Sequence, residues 1–383
     1  MSTKHRFASW CIAPGALFLG ILSLCLASCG HTEASAPIPV STVMQVIHAY
    51  GRERKTAPSV PEKPIAAPPA SPSDELYDSD GPYQAHIAAI LLKEDFAQLE
   101  KTAKQVRASR ARIKSGVWKL FAFYDGIVNP LDGTSFTDSD WDARFAVIKK
   151  WIAAYPDSAT AQIALADTYV GYAWAARGSG YSDSVSQSGW NLFGQRIELA
   201  KSTLLQAAHL KEKCPFWYEA MQNVALAQGW DKQQARELLD EASAFEPTYY
   251  HFYREYANYL LPKWYGDEGN TQAFAEEIST RLGEPDGSIV YFEIASLLAC
   301  QCDPDRNTLA GISWPKAKQG YISLKRLYGT SNLKMNRFAL MSVMSGDKSS
   351  AREALAELGS DWNHLVWHSA ESFESAKAWA SAP

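Results

Sequence analysis

No run of Lys or Arg longer than a pair occurs in these 383 residues, and the formal net charge is -5. Phosphate backbones require clustered cations and a positive local field, so nucleic acid is excluded as a partner. Cysteine is scarce, with six in all, and Cys300-Gln301-Cys302 lacks the second ligand pair that a structural zinc site needs. Alternating Val/Ile runs are almost absent, which leaves no material for a sheet. Beyond the first 28 residues no apolar segment approaches the roughly 20 residues of a membrane span. Missing too are Gly-x-Ser-x-Gly and a phosphate loop with its Lys-Ser/Thr. No motif indicates catalysis, and neither a metal nor a cofactor is expected.

What is present begins at the N-terminus. Lys4, His5 and Arg6 form a basic cluster ahead of an apolar stretch from Ile12 to Leu26, which ends Leu26-Ala27-Ser28-Cys29. These are the parts of a secretory signal over residues 1–28, with small residues where a peptidase must fit an extended chain. The cysteine after Leu-Ala-Ser resembles the bacterial lipobox, and on that resemblance Cys29 carries lipid and anchors the protein to a membrane. Each buried acyl methylene contributes about 0.8 kcal/mol. Gly30 stands where Asp marks inner-membrane retention in Gram-negative lipoproteins, so the resemblance implies an outer-membrane lipoprotein facing the periplasm. Cleavage removes the two cations Lys4 and Arg6 and no acid, taking the net charge from -5 to -7.

From Cys29 to about residue 75 the composition shifts to Pro, Ala, Ser and Thr, including Pro37, Pro39, Pro58, Pro61, Pro64, Pro68, Pro69 and Pro72. Such a segment buries too little apolar surface to offset its ordering entropy, and a disordered tether is expected. The apolar patch from Val43 to Tyr50 suggests at most a transient helix within it. As polyproline II, at about 3.1 Å per residue, the tether reaches on the order of 100 Å.

Residues 76–383 read as one helical-repeat domain. Phe145, Ile148, Trp151 and Ile152 recur at helical spacing, as do Leu238, Leu239, Ala242 and Phe245, and again Tyr249, Phe252, Tyr253, Tyr256 and Leu260. Breaks carry Pro and Gly, as in Tyr155-Pro156-Asp157-Ser158, where proline ends one helix and Asp or Ser caps the next. Pro215 and Pro247 lie 32 residues apart, each before an aromatic-rich helix with an Ala-rich partner (Ala225, Ala227, Ala235, Ala242, Ala244). That spacing approximates the tetratricopeptide period of about 34 residues. The fold expected is therefore all-α, a tetratricopeptide-like α-solenoid of helix hairpins wound as a right-handed superhelix.

Several stretches in combination resemble the domain-of-unknown-function family numbered 4034. They are Asp95 to Leu99 with Trp118 to Tyr124, Arg177 to Tyr181 with Gly189, Trp190 and Arg196, Tyr249 to Tyr253 with Tyr259 to Trp264, and Asn336 to Leu340 through Asp347 to Trp362 and Trp367. The resemblance covers most of residues 85 to 380. It implies a helical, tetratricopeptide-like fold and brings no activity and no catalytic residues.

Candidate ligand-contacting residues fall in two groups. Arg177, Tyr181, Trp190 and Arg196 surround the Gly178-Ser179-Gly180 turn, where planar guanidinium groups stack on rings and bind carboxylates; a plain loop hinge is the structural alternative. Tyr250, His251, Arg254 and Glu255 lie off the apolar stripe of their helix and are expected to face a groove, with Trp264 among the aromatic residues that follow. Stacked Tyr and Trp there would bind peptide or glycan, although helix pairs also bury such rings against each other. His364, His368 and Glu371 share one helical face, but the Glu that a hydrolytic zinc helix places after its first His is Leu365 here. Three functions remain open, the third being a purely structural assembly part with a large exposed apolar patch. The first is a lipid-anchored binding or scaffold module for a peptide, protein or envelope polymer, with a groove of polar-tipped aromatics and Arg and no buried unpaired carboxylate. The second is an envelope hydrolase or glycan-processing enzyme with converging carboxylates near Asp183, Trp190 and Glu198.

Overall fold

The computed structural model describes residues 38–55, 80–129, 135–178, 182–299 and 309–382. The signal segment, Cys29, Tyr181, Cys300 and Cys302 lie outside them. Seventeen α-helices follow in order: α1 (Val40–Lys55), α2 (Asp80–Leu92), α3 (Phe96–Ser109), α4 (Lys119–Val128), α5 (Asp138–Ala154), α6 (Ala159–Arg177), α7 (Gln187–Ala207), α8 (Pro215–Gln228), α9 (Lys232–Phe245), α10 (His251–Tyr259), α11 (Asn270–Leu282), α12 (Asp286–Ala299), α13 (Trp314–Tyr328), α14 (Asn332–Met344), α15 (Lys348–Leu358), α16 (His364–Trp367) and α17 (Ala370–Ser381). No strand forms among the described residues. An isolated bridge joins Arg112 and Trp118.

The punctuation of the sequence sets these boundaries. Ser158 accepts from the Ala161 N–H and starts α6 after Pro156. Thr137 with Asp140, and Asp231 with Gln234, form reciprocal capping boxes at α5 and α9. Pro215 opens α8, where its missing N–H costs no helical bond.

Helices α4, α6, α8, α10, α12, α14 and α16 touch one another in succession, while α7, α9 and α11 each pack on both even-numbered neighbours, and α5, α13 and α15 pack on α6, α12 and α14. The closer spacing within the even-numbered set makes it the inner, concave layer of an α-solenoid. Successive pairs cross tightly: a Cβ at Gly320 of α13 would lie 1.9 Å from the Ser288 carbonyl oxygen of α12.

Aromatic side chains cement the two layers. Phe216, Trp217, Tyr218, Tyr249, Phe252, Tyr253, Tyr256 and Tyr259 are all buried. Their rings pair at stacked or edge-on geometry, as in Tyr124 on Phe216 at 4.1 Å and Tyr256 against Phe274 at 4.9 Å. Of the two readings of these rings, burial between paired helices is the one found: they form the core.

The tether assignment over residues 29–75 also changes. Residues 40–55 form α1, which packs on α9 and buries Val43, Met44, Ile47 and Tyr50. The 43/47/50 spacing places these side chains on one helical stripe, and a complementary apolar surface fixes what isolated composition could not. Tyr50 stacks on Trp217 at 4.3 Å, and its hydroxyl accepts from the Cys214 N–H at 2.8 Å.

A strap runs along one edge of the solenoid. Glu100 of α3 accepts from Trp151 Nε1 at 2.8 Å, and Arg107 donates to Thr160 and pairs with Glu212 at 2.6 Å. Past the end of α3, Arg110 pairs with Glu246 at 3.0 Å. Arg112 donates to the Thr248 carbonyl and lies over the Tyr250 and Tyr328 rings at 4.2 and 4.9 Å. Gly116, at φ +77°, has Leu324 and Tyr328 beside it. One segment thus visits the connections into α6, α8 and α10 and the end of α13, tying distant repeats together.

Candidate functional site

The inner layer carries a chain of ionisable groups from helix to helix. Asp125 on α4 accepts from Gln84 and Asn129. Asp167 on α6 follows, half-buried, with no hydrogen-bond partner among the described residues. Burial, together with the charges of Glu219 and Asp125, holds its carboxyl well above the usual carboxylate range. Glu219 on α8 is buried; it accepts from Tyr249 Oη at 2.5 Å and lies 3.4 Å from His251 Nδ1. On α10 the residues left partly exposed are His251, Arg254, Glu255 and Asn258, the 0, 3, 4, 7 stripe that faces away from the aromatic core. Burial raises Glu255, opposed by Arg254 at 3.7 Å and reinforced by Glu219.

Cations dominate the far end. Glu293 on α12 and Lys334 on α14 form a buried ion pair, with Arg254 and Arg337 acting on both charges. Burial alone would raise Glu293, but Lys334, Arg254 and Arg337 together hold it below the ordinary range. Lys334 is depressed by burial, with Arg337 and Arg254 adding to the effect against Glu293. Lys334, Arg254 and Arg337 act on Glu293, while Arg254 also faces Glu255 at 3.7 Å. The inner layer thus carries carboxylates across α4, α6 and α8 and mixed cations and carboxylates across α10, α12 and α14.

The residues singled out in the sequence separate into three groups. His251 and Arg254 do share the inner face. Tyr250 does not: it is buried at the strap edge, its hydroxyl donating to Asp286 and its ring beneath Arg112. Its N-cap position turns it off the stripe that begins at His251. Arg177, Trp190 and Trp264 converge elsewhere, with Trp174, which sequence reasoning passed over. The buried Arg177 guanidinium lies 5.4 to 6.0 Å from the three ring centres, so the protein's own cation fills that aromatic box. Arg196 is engaged separately, 3.1 Å above the Tyr172 ring and donating to the Tyr172 carbonyl at 2.7 Å.

Asp183 sits exposed in a 3₁₀ turn, Ser182–Ser184. Glu198 instead accepts from Gln228 Nε2 and the Ile38 N–H and pairs with Lys201. The carboxylates that do converge are Asp125, Asp167, Glu219 and Glu255, each on a different inner helix. Asp125, Asp167 and Glu219 gave no signal in sequence, because each is a single acid within an apolar stripe, whereas Glu255 was legible on the polar stripe of α10 with His251 and Arg254. A cavity of about 510 Å³ lies on another face, between the start of α1 and helices α7 and α8, lined by Ile38, Phe193, Ile197, Lys201 and Trp230. The helix holding His364 ends at Trp367, His368 takes a left-handed conformation at φ +61°, and Glu371 belongs to the next helix. The shared face expected of these three is therefore broken.

No family model matches the chain, and neither a curated protein nor a solved structure matches it.

Proposed function

We propose that this protein is a lipid-anchored binding or scaffold module of a bacterial cell envelope, holding a peptide, protein or envelope polymer in its concave groove. The observation that carries the reading is the chain of charge-coupled groups across consecutive inner helices, from Asp125 to Arg337. Keeping charges half-buried costs folding free energy, and a ligand with complementary charges offsets that cost on binding. The lipid anchor on Cys29 and the outer-membrane, periplasm-facing location rest on the lipobox resemblance. The likeness to the family numbered 4034 rests on the motifs quoted for it.

Capture from solubilised envelopes with the full chain, read by mass spectrometry, tests the binding reading. A saturable partner is expected, lost when Asn258→Trp places a bulky ring in the groove. Capture unaffected by that plug refutes a groove-binding function. For the anchor, Cys29→Ala is expected to release the protein from the membrane fraction; retention contradicts lipidation.

A second reading, a carboxylate-based envelope hydrolase, is favoured by one observation. Burial and the charges of Glu219 and Asp125 raise the Asp167 carboxyl, the direction in which a general acid is set next to a second carboxylate. The 510 Å³ cavity lies on a different face. Glycan turnover abolished by Asp167→Asn would establish this alternative, and its absence across a substrate panel would dismiss it.

A further inference from the structure

The cavity between the start of α1 and helices α7 and α8 has a volume of about 510 Å³, within the roughly 300–1,000 Å³ of small-molecule sites. Phe193, Ile197 and Lys201 recur at four-residue spacing along α7 and supply one wall. Gly229 ends α8 at φ +65° and turns the chain, so that Trp230 closes the second wall. The Trp230 Nε1 donates to Gln228 Oε1 at 3.1 Å and its carbonyl accepts from Tyr259 Oη at 2.6 Å, which fixes the ring. Ile38, Pro39 and Val40 make the third wall. Most polar groups of the lining are engaged with one another. The buried Lys201 donates to the Ile38 carbonyl at 3.0 Å and pairs with Glu198 at 2.8 Å. Glu198 also accepts from the Ile38 N–H at 3.3 Å and from Gln228 Nε2 at 3.0 Å. One cation and one carboxylate leave this lining without net charge. Gln234 differs, because its Oε1 accepts the Asp231 N–H in the α9 capping box and its amide nitrogen is turned away from the helix end. That nitrogen sits on a half-buried side chain at the cavity and has no hydrogen-bond partner among the described residues.

We propose that this cavity binds a small neutral molecule with an apolar body and a carbonyl oxygen, the body against Phe193, Ile197 and Trp230 and the oxygen accepting from Gln234 Nε2. An ion entering here would lose its hydration and gain no free counter-charge, since Lys201 and Glu198 already satisfy each other. The fixed Trp230 ring and the clamped Ile38 backbone form the site before the ligand arrives, which lowers the ordering cost of binding. The cavity lies on a different face from the groove, so the site stands independently of the groove-binding reading. Because Ile38 to Val40 make one wall, occupancy also steadies the entry into α1. The Pro39 carbonyl there accepts from the Thr42 and Val43 N–H groups of the first helical turn.

The test is a titration of the full chain with prodan, a neutral naphthyl ketone whose emission shifts to the blue when it leaves water. The analogue lacking the ketone side chain is titrated alongside, with decanoate as an anionic competitor. One saturable site per chain is expected for prodan, and decanoate should not displace it. A Cβ added at Gly194, on the cavity lining, would meet nothing within 4 Å, so Gly194→Trp can plug the site without strain. It should abolish binding, while Gly194→Ala leaves it intact. Gln234→Glu keeps an acceptor for the capping box and removes the donor. Binding of prodan should weaken about fivefold, and that of the analogue should not change. Binding that survives the Gly194→Trp plug, or that decanoate displaces as readily as unlabelled ketone does, would overturn the site. Equal losses for both probes on Gln234→Glu would overturn the carbonyl assignment. In the unaltered protein, saturating prodan should slow amide exchange at Thr42 and Val43. Unchanged exchange there would contradict the proposal without relying on any variant.

Discussion

Tyr50 gives the sharpest test of the claim that α1 belongs to the folded body and not to a tether. Its ring is 2% exposed and stacks on Trp217, while its hydroxyl accepts the Cys214 N–H and donates to the Cys214 carbonyl oxygen at 3.3 Å. Tyr50→Phe keeps the stack and orphans a buried backbone N–H, at a cost of about 1–3 kcal/mol. Tyr50→Ala also opens a cavity among Trp217, Tyr218 and Phe245, and large-to-small aromatic replacements cost about 3–5 kcal/mol. With an unfolding entropy of about 2.1 cal/mol/K per residue, a body on the order of 340 residues loses roughly 1 °C of Tm per 0.7 kcal/mol. The alanine variant should therefore melt about 4–7 °C below the parent, with phenylalanine between them. Circular dichroism gives the melting temperature, and amide exchange by mass spectrometry shows whether α1 loses protection before the repeats do. If both variants melt within a degree of the parent and α1 exchanges freely throughout, α1 is not part of the body.

Other expectations follow from the strap, the helix crossings and the groove. Arg112→Ala removes a cation held by Trp118, Tyr250 and Tyr328 and two carbonyl hydrogen bonds, and should lower stability by about 2–4 kcal/mol in a denaturant titration. Arg112→Lys, lacking the fork, should recover less than half of that; full recovery would show that only charge matters. Gly320→Ala drives a methyl group into the Ser288 carbonyl and should cost more than about 1 kcal/mol, measured the same way. An unchanged midpoint would mean that α12 and α13 do not cross as closely as described. The raised pKa of Asp167 means that its proton stabilises the fold below the unfolded carboxylate range. That contribution is lost as pH rises through the higher folded value. Asp167→Asn should accordingly stabilise the protein at pH 7, with the gain shrinking as pH falls through the folded value and gone below about 4. A gain independent of pH would rule out the electrostatic cause.

The sequence reading succeeded where local chemistry decides the structure. The Pro215 and Pro247 spacing, the Pro156-Asp157-Ser158 break and the 3.6-residue stripes all correspond to helix ends and buried faces. It fell short where the deciding partner is distant. Val43 to Tyr50 lies among prolines, and only the surface of α9, some 190 residues later, makes it a fixed helix. Trp264 closes the box around Arg177 from 87 residues away, so a patch read as open is in fact filled from within. In the groove, Asp167, Glu219, Glu293 and Lys334 look like isolated interruptions of apolar helices. They become a site only because the solenoid stacks equivalent helix faces. His251 and Arg254 could be found because they fall on the polar stripe of one short helix.

The most direct test of groove binding is photo-crosslinking in growing cells. A photoreactive side chain is placed at Phe121 or Asn258 on the inner helices, and at Arg326 or Glu353 on exposed positions of outer helices α13 and α15. Binding in the groove predicts a discrete adduct from the two inner positions and none from the outer pair. Adducts from the outer helices alone would place binding on the convex face and contradict the account.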